Sequence, residues 1–408
     1  MGTVRTTQLK LGMVLADDVR DVKGRLLLTK GKPIGSEHIR IFKIWGISQV
    51  QIIGAQGENE PLAPTPVDPG RLETVRKETE FVFRYTDRDH PAIREIFSLA
   101  VNHRSAAPPR AADSLPVEIP AAGPAPQAGD FLQKFIEKDI VLPEIPSIVF
   151  ELNEVIANPL SSADQMAQVI NRSPSLTVLL LKIVNSSFYG LPSKVDRVSL
   201  AVTLIGTREL SALALGISIM SIFRKIPSRL LSMPLFLQHS LACGIVSRLL
   251  AAQKNMRQTE QMFTAGLLHD LGRLVTCIYF PDEALAAMRH AATKSICLHA
   301  AEKDLFSCHH GHVGKYILNQ WRLPLILENN VCFHHDPMNA PNPDAAALVH
   351  VADLLVNALG VGTSGERFVP PLDPGAWEAT GLSAGCLEVV STQAVNQINT
   401  LEILLQQA

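Results

Sequence analysis

The spacing of apolar residues changes once along this chain. Up to about residue 55 they come in short runs: Leu11-Gly12-Met13-Val14-Leu15-Ala16, Arg25-Leu26-Leu27-Leu28 and Val50-Gln51-Ile52-Ile53. Each run has the length of a strand, and Gly24 in Asp21-Val22-Lys23-Gly24 suits a hairpin turn between the first two. Between them and the third run, Ile39, Ile41, Phe42 and Trp45 follow helical spacing behind Ser36 as N-cap. Residues 1–57 therefore predict a small α+β unit. From Phe131 onward the spacing is helical almost throughout, with Ser162-Ala163-Asp164-Gln165 as a capping box, Ser173-Pro174 as a cap followed by an N1 proline, and Thr207 as a further cap. The expectation for residues 130–390 is an all-α multi-helix domain, closed by a last surface helix over 391–408. The fold class is mainly α.

Two stretches separate these units. Residues 58–104 read as a Pro-rich linker followed by a connecting helix over 71–102. Its charges crowd at Arg71-Leu72-Glu73-Thr74-Val75-Arg76-Lys77-Glu78, which predicts a solvated face or a partner contact and leaves pairing of two chains open. Residues 105–129 are rich in Ala and Pro and almost without large apolar side chains. Such a stretch cannot offset its own ordering entropy and reads as a tether.

Composition narrows the function classes. The formal charge of -2 gives no global field for nucleic acid or an anionic membrane, so neither is expected as a partner. Cys243, Cys277, Cys297, Cys308, Cys332 and Cys386 have no paired spacing and read as thiols in a reducing compartment. Met1-Gly2-Thr3-Val4-Arg5 opens no apolar signal region. The longest uncharged apolar run, Leu210 to Phe223, falls short of the roughly 20 residues of a membrane span and reads as a core helix. A cytoplasmic protein is the expectation.

The candidate chemistry lies in Thr264-Ala265-Gly266-Leu267-Leu268-His269-Asp270-Leu271-Gly272-Arg273-Leu274. An imidazole and a carboxylate stand side by side in an apolar helical run, and burying both without partners is costly. Metal is one way to satisfy them. Ten of the 13 histidines fall between His239 and His350, and Asp353 follows directly. Imidazoles and carboxylates are the donors that hold Fe, Mn, Zn, Co or Ni.

A resemblance sharpens this reading. Leu142-Pro143-Glu144-Ile145-Pro146, Ser173-Pro174-Ser175-Leu176, Asn185-Ser186-Ser187-Phe188-Tyr189-Gly190, Val198 to Gly206 and Trp321-Arg322-Leu323-Pro324 resemble the HDOD family, a bacterial signalling branch of the HD-domain metallohydrolases. Leu9 to Val19 resembles the small domain that often precedes bacterial HD-type signalling domains. Many HDOD proteins lack the His-Asp pair and act as scaffolds or regulators. In this chain, by similarity to the HD-GYP phosphodiesterases, His239, His269, Asp270, His310, His334, His335 and Asp353 occupy the metal-ligand positions. Two departures stand out: Leu235 replaces a glutamate of trinuclear relatives, and Asp336-Pro337-Met338-Asn339-Ala340-Pro341 replaces the Gly-Tyr-Pro motif. The resemblance thus implies a dinuclear centre of divalent metals, Fe or Mn foremost, bridged by Asp270. It does not extend to cyclic di-GMP as substrate.

Such a centre would activate a hydroxide for attack on phosphorus. Arg273 shares a helical face with His269 and Asp270 and is the candidate phosphate clamp, although the relatives usually carry lysine there. His350, one turn before Asp353, is placed to support a ligand from behind. The remaining histidines have plainer readings. His309 and His312 read as exposed helix-start residues, with an exchange of roles with His310 left open, and His290 and His299 read as surface or capping groups. Cys308 reads as a small buried hydrophobe, and Asn185 to Gly190 as a tight interhelical turn. Three functions follow: a signal-transduction protein retaining the centre and engaging signalling partners, a metal-dependent phosphohydrolase or phosphodiesterase acting on a nucleotide or cyclic dinucleotide, or a scaffold with a relic or structural metal site.

Overall fold

The computed structural model describes residues 2–5, 9–20, 26–35, 37–39, 42, 49–53, 69–106, 131–138 and 147–406, apart from 159, 187–188, 190, 192–193 and 224–229. Near the N-terminus lie the strands β1 (Gly2–Arg5), β2 (Val19–Arg20), β3 (Leu26–Leu28) and β4 (Gln49–Ile52). β1 pairs antiparallel with β4, and β2 with β3. The strand expected over Leu11–Ala16 is reduced to single bridges from Val14 to Pro33 and from Leu15 to Ile52. Gly12 is the reason: its φ of 87° turns the chain out of the extended conformation. β1 has one aliphatic residue, Val4, and becomes a strand through its pairing with β4. Leu9, Leu15, Val19, Ile34, Phe42, Val50 and Ile52 form a separate small core. Gly24 and most of the expected Ser36–Trp45 helix lie outside the described residues, within which 37–39 and Phe42 are helical.

The connecting stretch holds two helices, α1 (Pro69–Val82) and α2 (Pro91–Ala106), in place of one. Pro91 is the cause, since its ring disfavours helix in the residue before it and suits a helical first position. This pair is no solvated connector. Phe83, Ala92, Ile93, Ile96 and Ala100 belong to the main helical core, and Val369 N donates to Val82 O at 2.8 Å. α2 also takes in Ser105 and Ala106, so the expected tether boundary moves; residues 107–129 lie outside the described residues.

The helical body comprises α3 (Phe131–Glu137), α4 (Ser147–Ala157), α5 (Ala163–Asn171), α6 (Pro174–Val184), α7 (Val198–Ile205) and α8 (Thr207–Phe223). It continues with α9 (Met233–Gln253), α10 (Thr259–Leu268), α11 (Leu271–Tyr279), α12 (Pro281–Lys294), α13 (Leu298–Phe306) and α14 (His310–Gln320). α15 (Leu325–Cys332), α16 (Pro343–Leu359), α17 (Pro374–Thr380) and α18 (Cys386–Gln406) complete it. Ser162 forms the expected capping box with Gln165, and Ser173 caps α6 ahead of Pro174. At α8 Gly206 takes the place expected for Thr207, because its carbonyl accepts from Leu210 N at 3.1 Å. Asn185 closes the turn after α6: its amide donates to Leu181 O and Val195 O, and its carbonyl accepts from Val195 N.

α9 runs through the middle of the body, packed on α10, α16 and α18. Its length and a mean hydropathy of 1.4 would suit a membrane span, but 72% of that window is buried inside the protein. It is a core helix, apolar because it has neighbours on every side. α18 begins five residues before the expected last helix. Leu387, Val390, Ala394 and Ile398 bury one of its faces, so it is a packing helix as well as a surface one.

Candidate metal centre

Five segments bring their donors to one buried place. His239 sits in the second turn of α9, and His269 and Asp270 form the junction of α10 and α11. His310 opens α14, His334 and His335 follow α15, and Asp353 lies in α16. The α11–α14 crossing is close because neither helix carries a Cβ at the contact. A Cβ on Gly272 would stand 2.0 Å from His310 O and 2.5 Å from Gly314 N. This approach brings the Asp270 carboxylate to the His310 ring.

The geometry divides around Asp270. Its Oδ2 lies 3.2 Å from His269 Nε2 and 3.6 Å from His239 Nε2. Asp353 Oδ1 joins that side at 3.2 Å from His239 Nε2 and 3.4 Å from His269 Nε2. Asp270 Oδ1 instead faces His310 Nε2 at 2.9 Å, and His310 Nε2 is 3.2 Å from both His334 Nε2 and His335 Nε2. His269 Nε2 and Asp270 Oδ1 are buried yet engage in no well-formed hydrogen bond. Donors that converge without satisfying one another fit a cation between them.

The surroundings fix the rings. His269 Nδ1 donates to Gly266 O at 2.7 Å and His334 Nδ1 to Val331 O at 2.8 Å, which turns both Nε2 atoms toward the cluster. His350 Nδ1 meets His334 O at 2.9 Å, in line with a supporting place behind the ligands. Asn357 donates to Asp353 Oδ1 at 2.7 Å. Charge follows from these contacts. Burial opposes the charged form of Asp270, but Arg273, His269 and His310 outweigh it and hold the carboxyl well below its usual range. Burial likewise opposes a charged His269, and the Asp270 and Asp353 carboxylates outweigh it, raising the imidazole to about 10. Burial and neighbouring imidazoles push His334 and His335 well down, leaving them neutral with a lone pair to give.

Several expectations change. Arg273 is 3% exposed, and its guanidinium is engaged inside the protein. Nη1 donates to Ser364 Oγ at 2.7 Å and lies 3.4 Å from Asp270 Oδ2, while Nε is 3.5 Å from Glu302 Oε1. His309 is buried, not exposed: its Nδ1 accepts from Gly311 N at 3.1 Å as the cap of α14. His299 is no free surface group, since its ring stacks on His335 with centroids 4.1 Å apart. His290 pairs with Asp304 at 3.2 Å.

Sequence reasoning passed over three participants. Glu302 Oε2 is 2.6 Å from His310 Nδ1 and accepts from His310 N at 2.9 Å. Burial opposes its charge, but His310 and Arg273 outweigh it and lower the carboxyl to about 2. Ser364 holds Arg273, and no local pattern distinguishes either residue from any surface serine or glutamate. Cys243 Sγ is 3.6 Å from His239 Nε2. Its signal was present as a four-residue step along α9, which shares one helical face.

With this geometry in view, the family model of the HDOD domain matches residues 142–337. The chain carries an HDOD domain. An uncharacterized protein of Treponema pallidum (strain Nichols) is 24% identical over 200 residues, which are 49% of this chain and only 39% of that relative. An HDOD domain protein with unknown function from Geobacter sulfurreducens superposes with a TM-score of 0.59 at 21% identity, covering 67% of this chain and 96% of its own. A protein described as a candidate phosphohydrolase, from Shewanella amazonensis SB2B, gives a TM-score of 0.52 at 21% identity, with 67% and 98% covered. These likenesses show the HDOD fold. Asp353 lies beyond the matched residues, on the helix that follows the paired histidines.

Proposed function

We propose that this HDOD protein works in signal transduction and retains a dinuclear divalent-metal centre held by His239, His269, Asp270, His310, His334, His335 and Asp353. The observation that carries the proposal is the division of the Asp270 carboxylate, with one oxygen toward His239 and His269 and the other toward His310. A bridging carboxylate between two donor sets is what a metal pair requires. The nitrogen and oxygen donors suit Fe or Mn foremost, with Zn, Co and Ni also accepted.

When bound, such a pair supplies an activated water and charge stabilisation at a phosphoryl oxygen. The chain's own groups favour regulation over turnover. The cavity that reaches the cluster past Arg273, Glu302, His309 and His310 is otherwise lined mainly by apolar side chains, Phe131, Met288, Leu298 and Phe306 among them. Arg273, the expected clamp, turns Nη1 to Ser364 and Asp270 and Nη2 to His310, with Nε near Glu302 but in no hydrogen bond, so it positions Asp270 and His310 in this reading. Support for an input from the N-terminal half comes from Arg104 of α2. Its guanidinium donates to Ala358 O at 2.8 Å and to Asn357 O at 3.1 Å, and Asn357 in turn holds Asp353. A signalling partner or a second copy of the chain acting on α1 and α2 would reach the centre by this route. A phosphate-containing small molecule is the second kind of ligand, and nucleotide hydrolysis at the same centre is the alternative output.

The test is elemental analysis of protein purified without chelator, beside His269→Ala and Asp270→Ala. About two Fe or Mn per chain, lost in Asp270→Ala and at least halved in His269→Ala, is the expected result. Metal-free wild type would overturn the centre. With metal present, release of phosphate from nucleotides or cleavage of generic phosphodiesters, abolished in both variants, would favour the hydrolase.

A further inference from the structure

A second donor set lies beyond His335, outside the seven residues above. Cys297, His299 and Glu366 each offer one ligand atom, and these atoms lie within 4.8 Å of one another. Cys297 is a buried free thiol at the N-cap of α13, and its side chain makes no cap hydrogen bond. His299 Nδ1 is buried and has no hydrogen-bond partner. Its ring is held by the stack on His335, with an interplanar angle of 17°. Glu366 is fixed by backbone N–H groups: Oε2 accepts from Leu298 N at 2.7 Å, and Oε1 from Arg367 N at 2.8 Å and Phe368 N at 3.0 Å. Oε2, which accepts a single such bond, keeps a lone pair for a cation.

We propose that Cys297, His299 and Glu366 form a separate zinc site, distinct from the centre bridged by Asp270. Each residue alone has a plain explanation: a buried cysteine packs as a hydrophobe, a stacked histidine fills space, and a glutamate caps a helix start. Together they leave an imidazole nitrogen buried without a partner beside a thiol and an oriented carboxylate. Thiolate, imidazole and carboxylate are zinc ligands, and Cys297 sets this trio apart from the seven nitrogen and oxygen ligands proposed around Asp270, beside which Cys243 is the nearby thiol. Zinc bonds of about 2.0–2.3 Å place tetrahedral donors roughly 3.3–3.8 Å apart, so loading draws the trio inward by no more than about 1 to 1.5 Å. The Cys297 proton leaves to solvent as the thiolate binds, and thiolate plus carboxylate neutralise the divalent charge. Three protein ligands leave a fourth position. Glu366 and Leu298 also line a cavity of about 80 Å³ with Leu230, Met288 and Phe368, which reaches the trio from the Glu366 side.

Cobalt substitution tests this in the full chain, because a thiolate on Co²⁺ gives a near-ultraviolet charge-transfer band that nitrogen and oxygen ligands lack. Chelator-treated protein titrated with Co²⁺ should develop the band, and excess zinc should abolish it. The band should persist in Cys243→Ala, which removes the thiol beside His239, and in His269→Ala, which removes a ligand of the Asp270 centre. It should vanish in Cys297→Ser and weaken in Glu366→Gln, with circular dichroism unchanged. Should Cys297→Ser fold poorly, His299→Gln serves instead, with cobalt affinity reduced by at least about tenfold. A cobalt-loaded wild type without the band would overturn the proposal. So would a band that disappears with Cys243→Ala and survives in Cys297→Ser. Loss of Fe or Mn in His269→Ala reports on the other centre alone.

Discussion

Asp270 and His310 meet across the α11–α14 crossing, with Oδ1 2.9 Å from Nε2. The other oxygen of the same carboxylate faces His269 at 3.2 Å. Because one side chain serves both donor sets, its removal should act on both ions. Asp270→Ala should therefore lose nearly all bound Fe or Mn, while His335→Ala should keep about one ion per chain. Elemental analysis of the two variants checks this, and equal losses would sink the bridging role.

The crossing itself can be tested through Gly272. A side chain there would overlap His310 O and Gly314 N, both backbone atoms that cannot move aside. Gly272→Ala should cost about 3 kcal/mol in chemical denaturation and lower metal content by moving α14 away from Asp270. A wild-type midpoint would show that the helices separate freely.

Glu302 makes an acid-side prediction for the metal-free protein. Its folded carboxyl is lowered to about 2, below the usual value of 4.5. A depressed carboxyl stabilises the folded state above about pH 4.5, and that contribution fades as pH falls toward 2. Glu302→Gln should lower stability at pH 7 by about 1–3 kcal/mol and flatten the loss between pH 4.5 and 2. Denaturation curves across that range, for wild type and variant, provide the measurement. Parallel pH profiles would remove Glu302 from the account.

Asn357 separates holding a ligand from being one. Its amide bond to Asp353 orients the carboxylate, so Asn357→Ala should weaken metal binding by about tenfold while leaving the helix intact. Arg104→Ala removes a cation from the C-terminal carbonyls of α16, and should cost about 1 kcal/mol and weaken binding less than Asn357→Ala does. Chelator competition on both variants reads the order, and a reversed order would break the proposed route from α2.

Much of this protein follows from residue pattern alone. Helical spacing from Phe131 onward announces an all-α body, since a 3.6-residue period on an apolar stripe admits little else, and local cap chemistry places the starts of α5 and α6 at Ser162 and Ser173. The crowding of histidines from His239 to His350, with Asp270 and Asp353, marks the donors, because neighbouring imidazoles and carboxylates in apolar helices demand partners. Tertiary structure decided the rest. Val4 becomes part of a strand only by pairing with β4, and α1 and α2 join the core through contacts that a charged sequence does not advertise. Arg273 looks like a phosphate clamp by its helical face, yet Ser364 and Glu302, distant in sequence, turn it inward. His299 and Cys297 carry no signal until Glu366 is folded beside them. Periodicity and capping are local and can be read along a chain, whereas a buried polar group is defined by whichever distant segment satisfies it.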